Sequence, residues 1–182
     1  YGGTRVPTFV KWPGVTEPGA VCRERIIGFD FYPTMLKMAG IKYECAKGEE
    51  IDGCDISTLL KDPQKKLKTR AFHWLRYPRI DRYHADVLKS KGPCGSILKV
   101  HWKLVEFPAT LYGQAQSFEL YNVKEDISEE HNLADAMPQK VKELKDEMYS
   151  WRKSVGAPVD SRTMYRKAME HRPSDETEKK RH

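Results

Sequence analysis

PQKVKELKDEMYSWRKSV, from Pro138 to Val155, decides the architecture of the chain. A proline opens it, at a helix position whose N–H would have no partner in any case. Val141, Leu144, Met148, Trp151 and Val155 then recur at steps of three and four, a period that gathers them on one helix face. Gly156 and Pro158 stop the run. A helix with one apolar face needs a second layer to cover it, and the preceding chain supplies one. Ala71 to Tyr77, Ser96 to Val100, Trp102 to Phe107 and Phe118 to Val123 are strand-like runs separated by polar or glycine-containing segments. Four such runs predict a small, largely antiparallel sheet under the helix. Beyond it, Ser174 to His182 is charged and without apolar residues, which predicts a mobile tail.

Toward the N-terminus the pattern changes. Val6 to Trp12 is rich in β-branched and aromatic residues and is closed by Pro13-Gly14, the signature of a strand and a turn. Residues from about Ile26 to Ala39 favour a helix, with Asp30 as a candidate cap, Pro33 in its first turn or at a kink, and Gly40 as its left-handed stop. From Glu44 to Lys68 the chain is loop-like, with a short apolar helical stretch around Ile56, Leu59 and Leu60. The expected division is therefore residues 1–68, residues 69–158, and a partly disordered tail over 159–182.

Composition narrows the function classes. Net charge is +6 from 32 basic and 26 acidic residues, so the signs are mixed; the excess favours polyanionic partners without identifying one. No RNP-like, helix-turn-helix or zinc-finger pattern is present, so nucleic acid is not an expected partner. No apolar run approaches the roughly 20 residues that span a bilayer, and no membrane association is expected. Cys22, Cys45, Cys54 and Cys94 lack C-x-x-C spacing, which disfavours zinc and thioredoxin-like chemistry. Cys45 and Cys54 bracket a short polar loop in which a disulfide and two free thiols are both feasible.

GGTRVPTFVKWPG (Gly2 to Gly14), DFYPTMLKMAG (Asp30 to Gly40) and DGCDISTLLK (Asp52 to Lys61) resemble, in this order, segments of the sulfatase family of the alkaline-phosphatase superfamily. HWKLVEF (His101 to Phe107), ELYNVKEDISEEHNLA (Glu119 to Ala134) and the final helix resemble the C-terminal subdomain of bacterial polysaccharide sulfatases. The resemblance covers Gly2 to about Ala157. It implies an α/β protein, more narrowly an α+β fragment: an edge piece of a large α/β sulfatase domain, followed by a small four-stranded antiparallel sheet packed on a C-terminal helix. It also implies that Val6 to Trp12 would be a sheet strand separated from its neighbours, with the missing N-terminal sulfatase domain as its natural cover. Self-association through the exposed sheet edge is the corresponding risk.

The family uses a formylglycine made from Cys or Ser in a C/S-x-P/A-x-R motif, and none of the four cysteines or the serines of this chain begins such a run. It also binds calcium through clustered carboxylates. Asp52-Gly53-Cys54-Asp55 reads as a turn, so no catalytic and no metal-ligating residue is expected here. Calcium and formylglycine are expected in the intact parent, which the resemblance implies to be periplasmic or secreted.

Substrate-facing residues remain. AFHWLRYPRIDRYH, Ala71 to His84, resembles the Trp-His-Tyr-Pro-His stretch that bacterial sulfatases hold at the pocket rim. Aligning Tyr77-Pro78 puts Arg76 and Arg79 where histidines are usual, and Leu75 is then an insertion that shifts the register at His73 and Trp74. The resemblance makes His73, Trp74, Arg76 and Arg79 the candidate substrate-binding residues. An arginine fork suits sulfated or carboxylated sugars because it pairs two anionic oxygens and stays charged. Trp74 could stack on a sugar ring or belong to the core. The expected function is substrate recognition within a sulfuric ester hydrolase acting on a sulfated saccharide, with no turnover by this chain alone. The alternatives are a phosphonate or phosphate monoester hydrolase of the same superfamily and a non-catalytic interaction module.

Overall fold

A computed structural model of the chain describes residues 4–43, 51–76, 94–107 and 115–159. The chain forms two compact units that part between Lys68 and Thr69. From residue 160 on, the expected tail lies outside the described residues, as do Cys45 and Arg79.

The first unit is organised by one buried carboxylate. Gly28–Asp30 forms a 3-10 turn that runs into α1, Phe31–Met38. Asp30 is fully buried. Its Oδ2 accepts the Ile27 amide at 2.9 Å and its Oδ1 accepts the Cys54 amide at 3.0 Å. One turn on, the Thr34 hydroxyl donates to the Asp30 carbonyl at 2.6 Å and accepts the Ile56 amide at 3.0 Å. These bonds hold the segment entering α2, Ser57–Lys61, against the start of α1. The loop passes so close that a Cβ on Gly53 would lie 2.0 Å from the Phe29 carbonyl oxygen. The expected helix over residues 26–39 thus begins only at Phe31, because Asp30 turns back to the Ile27 amide and tightens the chain before it. Its end is as expected: Gly40, at φ 70°, donates to Lys37, and Ile41 donates to Leu36, a Schellman closure.

Val6 to Trp12 does not form the expected strand. Strand-prone residues need a neighbouring ladder, and none pairs with this run among the described residues. Val6 is 71% and Phe9 92% exposed.

The second unit is a meander of β1 (Ala71–Leu75), β2 (Gly95–Lys99), β3 (Trp102–Phe107) and β4 (Ser117–Asn122), antiparallel and ordered as in the sequence. His73, Ile97, Leu104 and Leu120 stand in one row across it, and Phe72, Leu98, Lys103 and Tyr121 in the next. Adjacent rows face opposite sides. On the first side Ile97, Leu104 and Leu120 pack with Leu144 and Met148 of α3, Pro138–Ser154. On the second, Leu98, Val105, Tyr121 and Val123 form another buried cluster that Phe72, Trp74 and Phe107 join. After β4 the chain folds back, with Leu133 donating to the Leu120 carbonyl at 2.8 Å and Asn132 Oδ1 accepting the Leu120 amide at 3.0 Å. Truncating a fully buried leucine of such a core to alanine costs about 2–5 kcal/mol.

The buried face of α3 departs from the apolar pattern in one respect. Its fully buried residues are Leu144, Met148 and Arg152; Val155 is the C-cap and is exposed. Leu144, Met148 and Arg152 follow at steps of four, so the geometry selects the row and not the residue's polarity.

β2 and β3 are joined by Val100 and His101 alone, and Val100 has φ 55°. A β-branched residue in the left-handed region is strained by about 1–2 kcal/mol. Glycine removes that cost but loses roughly 0.5–1 kcal/mol to its freer unfolded chain. Val100→Gly should therefore leave stability unchanged or raise it by up to about 1 kcal/mol, against the usual loss for glycine in a strand interior. Thermal unfolding followed by circular dichroism measures it, and a clear drop in Tm would show that the turn is unstrained.

Candidate functional site

β1 carries the candidate residues, and its alternation separates them. His73 lies on the helix side, stacked on Trp151 of α3 with centroids 4.7 Å apart and planes 11° from parallel. Its Nε2 is buried and has no hydrogen-bond partner among the described residues. Burial pushes the imidazole below its ordinary pKa, with Glu147 opposing and Lys99 adding to the shift. Trp74 lies on the other side, stacked on Phe72 at 6.3 Å and packed with the second cluster. One ligand therefore cannot lie on both rings. Arg76 follows β1 directly and is exposed, its amide donating to the Cys94 carbonyl at 2.7 Å.

At this end of the sheet sits a polar cluster around a buried ion pair, which the motif and strand patterns did not flag. Arg152 and Glu106 are 0% and 1% exposed. Arg152 Nη2 donates to Glu106 Oε2. Tyr149 donates its hydroxyl proton to Glu106 Oε1 at 3.0 Å, and Gln116 Nε2 reaches both Glu106 Oε1 and the Tyr149 oxygen, the latter at 2.7 Å. Burial, followed by the Glu106 charge, raises the Tyr149 pKa, which keeps the phenol a donor. The same two causes push the neighbouring Cys94 thiol up to about 12, so it is no nucleophile at neutral pH. Gly95 leaves room for the guanidinium: a Cβ there would lie 2.0 Å from Arg152 Nη2. Two signals were available in the sequence. Arg152 falls four residues after Met148 on the buried row, and Glu106 alternates with Leu104 on the covered face of β3.

Asp30 and Asp55 spend their carboxylate oxygens on donors of the chain itself. Both Asp30 oxygens already accept backbone amides, and Asp55 accepts the Ser57 amide at 2.8 Å and its hydroxyl at 3.0 Å. N–H and O–H donors occupy the directions from which a hard cation would be bound.

The half-buried imidazole of His73 has a pH signature. Its folded pKa lies below the unfolded value of about 6.5, so the unfolded chain binds the extra proton first. The stability it permits is complete above the unfolded value and falls as pH drops through that value toward the folded one. His73→Phe keeps a ring against Trp151 and does not titrate. Urea titrations of both proteins between about pH 7.5 and 5 should show the wild type losing stability relative to the variant on the acid side; parallel curves would mean that His73 protonates freely in the fold.

Known proteins are similar to this chain over most of its length. Residues 2–154 match the family described as N-sulphoglucosamine sulphohydrolase, C-terminal. A sulfatase of Formosa agariphila is 30% identical over 141 residues, covering 75% of this chain and 24% of that protein. The ulvan-active sulfatase of the same organism is 27% identical, covering 85% of this chain and 34% of its own length. The uncharacterized sulfatase YdeN of Escherichia coli K12 is 31% identical, with 79% and 28% covered. This chain thus spans about a quarter to a third of these relatives. Among solved structures, Ps i-CgsB superposes with a TM-score of 0.54 at 18% identity, over 88% of this chain and 33% of that one, a likeness of fold. The chain belongs to the sulfatase family, as a member of its N-sulphoglucosamine sulphohydrolase C-terminal group.

Proposed function

We propose that this chain is the substrate-recognising C-terminal part of a sulfuric ester hydrolase acting on a sulfated sugar. The observation that carries the reading is the family match over residues 2–154, supported by relatives named as sulfatases, one of them ulvan-active. A phosphate or phosphonate esterase is not favoured against those relatives. In this reading Arg76, exposed beside β1, presents its guanidinium to a sulfate or carboxylate of the saccharide, and Arg79 adds a second fork. His73 and Trp74, half-buried on opposite faces, serve by holding β1 between its two packed layers. The formylglycine and calcium of the family would supply nucleophile and charge neutralisation from elsewhere in a longer polypeptide. The exposed apolar side chains of the first unit, Val6, Phe9 and Met35 among them, suit cover by such a domain; without it they favour self-association.

Two measurements test the reading. Aryl sulfate assays on the chain, with and without calcium, should show no turnover, since no C/S-x-P/A-x-R run occurs in the 182 residues. Turnover that follows the purified chain would overturn that expectation. In an NMR titration a heparin-derived oligosaccharide should bind more tightly than its desulfated form. Arg76→Ala should weaken it about tenfold, one charge-assisted contact of about 1.5 kcal/mol, and added salt should narrow the difference. Equal binding of sulfated and desulfated sugar would remove recognition of sulfate from this unit.

A further inference from the structure

The buried ion pair sits where all four strands present one end. Glu106 lies at the close of β3 and Gly95 at the start of β2. Gln116 directly precedes β4, and Arg76 follows β1. The links between them are continuous. Arg152 of α3 holds Glu106 over Gly95; Glu106 holds Gln116 and Tyr149 by its other oxygen; the Glu106 carbonyl accepts the Cys94 amide at 2.9 Å; and the Cys94 carbonyl accepts the Arg76 amide at 2.7 Å.

Packing alone does not account for this arrangement. A buried ion pair is commonly no more stabilising than apolar residues of equal volume. This one is also incompletely satisfied: Arg152 Nε and Nη1 are buried with no hydrogen-bond partner among the described residues. An apolar pair would fill the space without orphaned donors. It would lack only direction, since dispersion fixes a distance and a forked hydrogen bond fixes an orientation.

We propose that Glu106 and Arg152 are positioning residues, which orient the strand ends and through Cys94 fix the backbone at Arg76, the residue assigned above to the anionic sugar. The inference rests on that assignment for its purpose, but its mechanical content stands apart from it. Neither side chain reaches the ligand; both act through the bonds that lead to Arg76.

The test replaces the pair by an apolar one, Glu106→Leu with Arg152→Met, in the full 182-residue chain. Positioning predicts that the global unfolding midpoint is kept or raised, while the Arg76 and Cys94 amides exchange at least about tenfold faster in native-state hydrogen exchange and the central Leu104 and Leu120 amides do not. Unchanged protection at Arg76 and Cys94 overturns the proposal, and so does a uniform loss across the sheet, which would make the pair a plain stability element. If the double variant does not fold, Glu106→Gln carries the same comparison, with the same two amides opening first or the proposal failing. The oligosaccharide titration decides the recognition reading separately. Wild type that binds no heparin oligosaccharide, or Arg76→Ala that binds as wild type does, ends that reading, and the exchange data still decide positioning.

Discussion

Removing a carboxylate and a guanidinium from water is costly, and the cost is recovered only when each finds the other in good geometry. Glu106 and Arg152 impose that condition on the second unit. The carboxylate must face the helix, which fixes the register of β3; the guanidinium must reach it, which fixes the rotation of α3 about its axis. Position 95 must have no side chain, since a Cβ on Gly95 would fall within the guanidinium. Leu144 and Met148 would tolerate a small rotation of the helix against Ile97, Leu104 and Leu120, but the ion pair would not.

The first unit also turns on a buried carboxylate, here one that gathers backbone donors. Asp30 accepts the amides of Ile27 and Cys54, one on each oxygen. Charge-assisted bonds to amides are stronger than neutral ones, so a short helix with little apolar cover can still be fixed to the segment that precedes α2. The motif that resembles sulfatases, Asp30 through Gly40, is thus a folding element: its aspartate and threonine are spent on backbone bonds and its glycine on the helix stop.

Much of the second unit was legible because its signals are local. The alternation of β2, β3 and β4 and the three- and four-residue steps of α3 each follow from one face being covered, and the structure keeps these elements to within a residue or two. The first unit was less so. Val6 to Trp12 has the composition of a strand, but pairing is a property of two segments, and composition reports on one. The start of α1 moved to Phe31 because a side chain, Asp30, competes for the backbone before it, and periodicity does not register such competition. At the candidate site, the sequence grouped His73 and Trp74 as one substrate-binding set, and the alternation of β1 puts them on opposite faces. Arg152 and Glu106 were missed because their charge suggested the surface, although their spacing from Met148 and Leu104 pointed inward.

The meander has a consequence for how such a domain can change over time. Each strand pairs with its neighbour in sequence, so the sheet can form hairpin by hairpin with little long-range search. Its connections are unequal. β2 and β3 are joined by two residues, whereas residues 76–94 separate β1 from β2 and residues 108–116 separate β3 from β4, both departing from the end that Glu106 and Arg152 bind together. Lengthening a connection between strands is thermodynamically mild, about 0.6 kcal/mol for each doubling. Insertions and deletions can therefore accumulate at one end of the sheet while the short turn at the other preserves the register, and a lineage can rebuild one rim of the domain without refolding the rest.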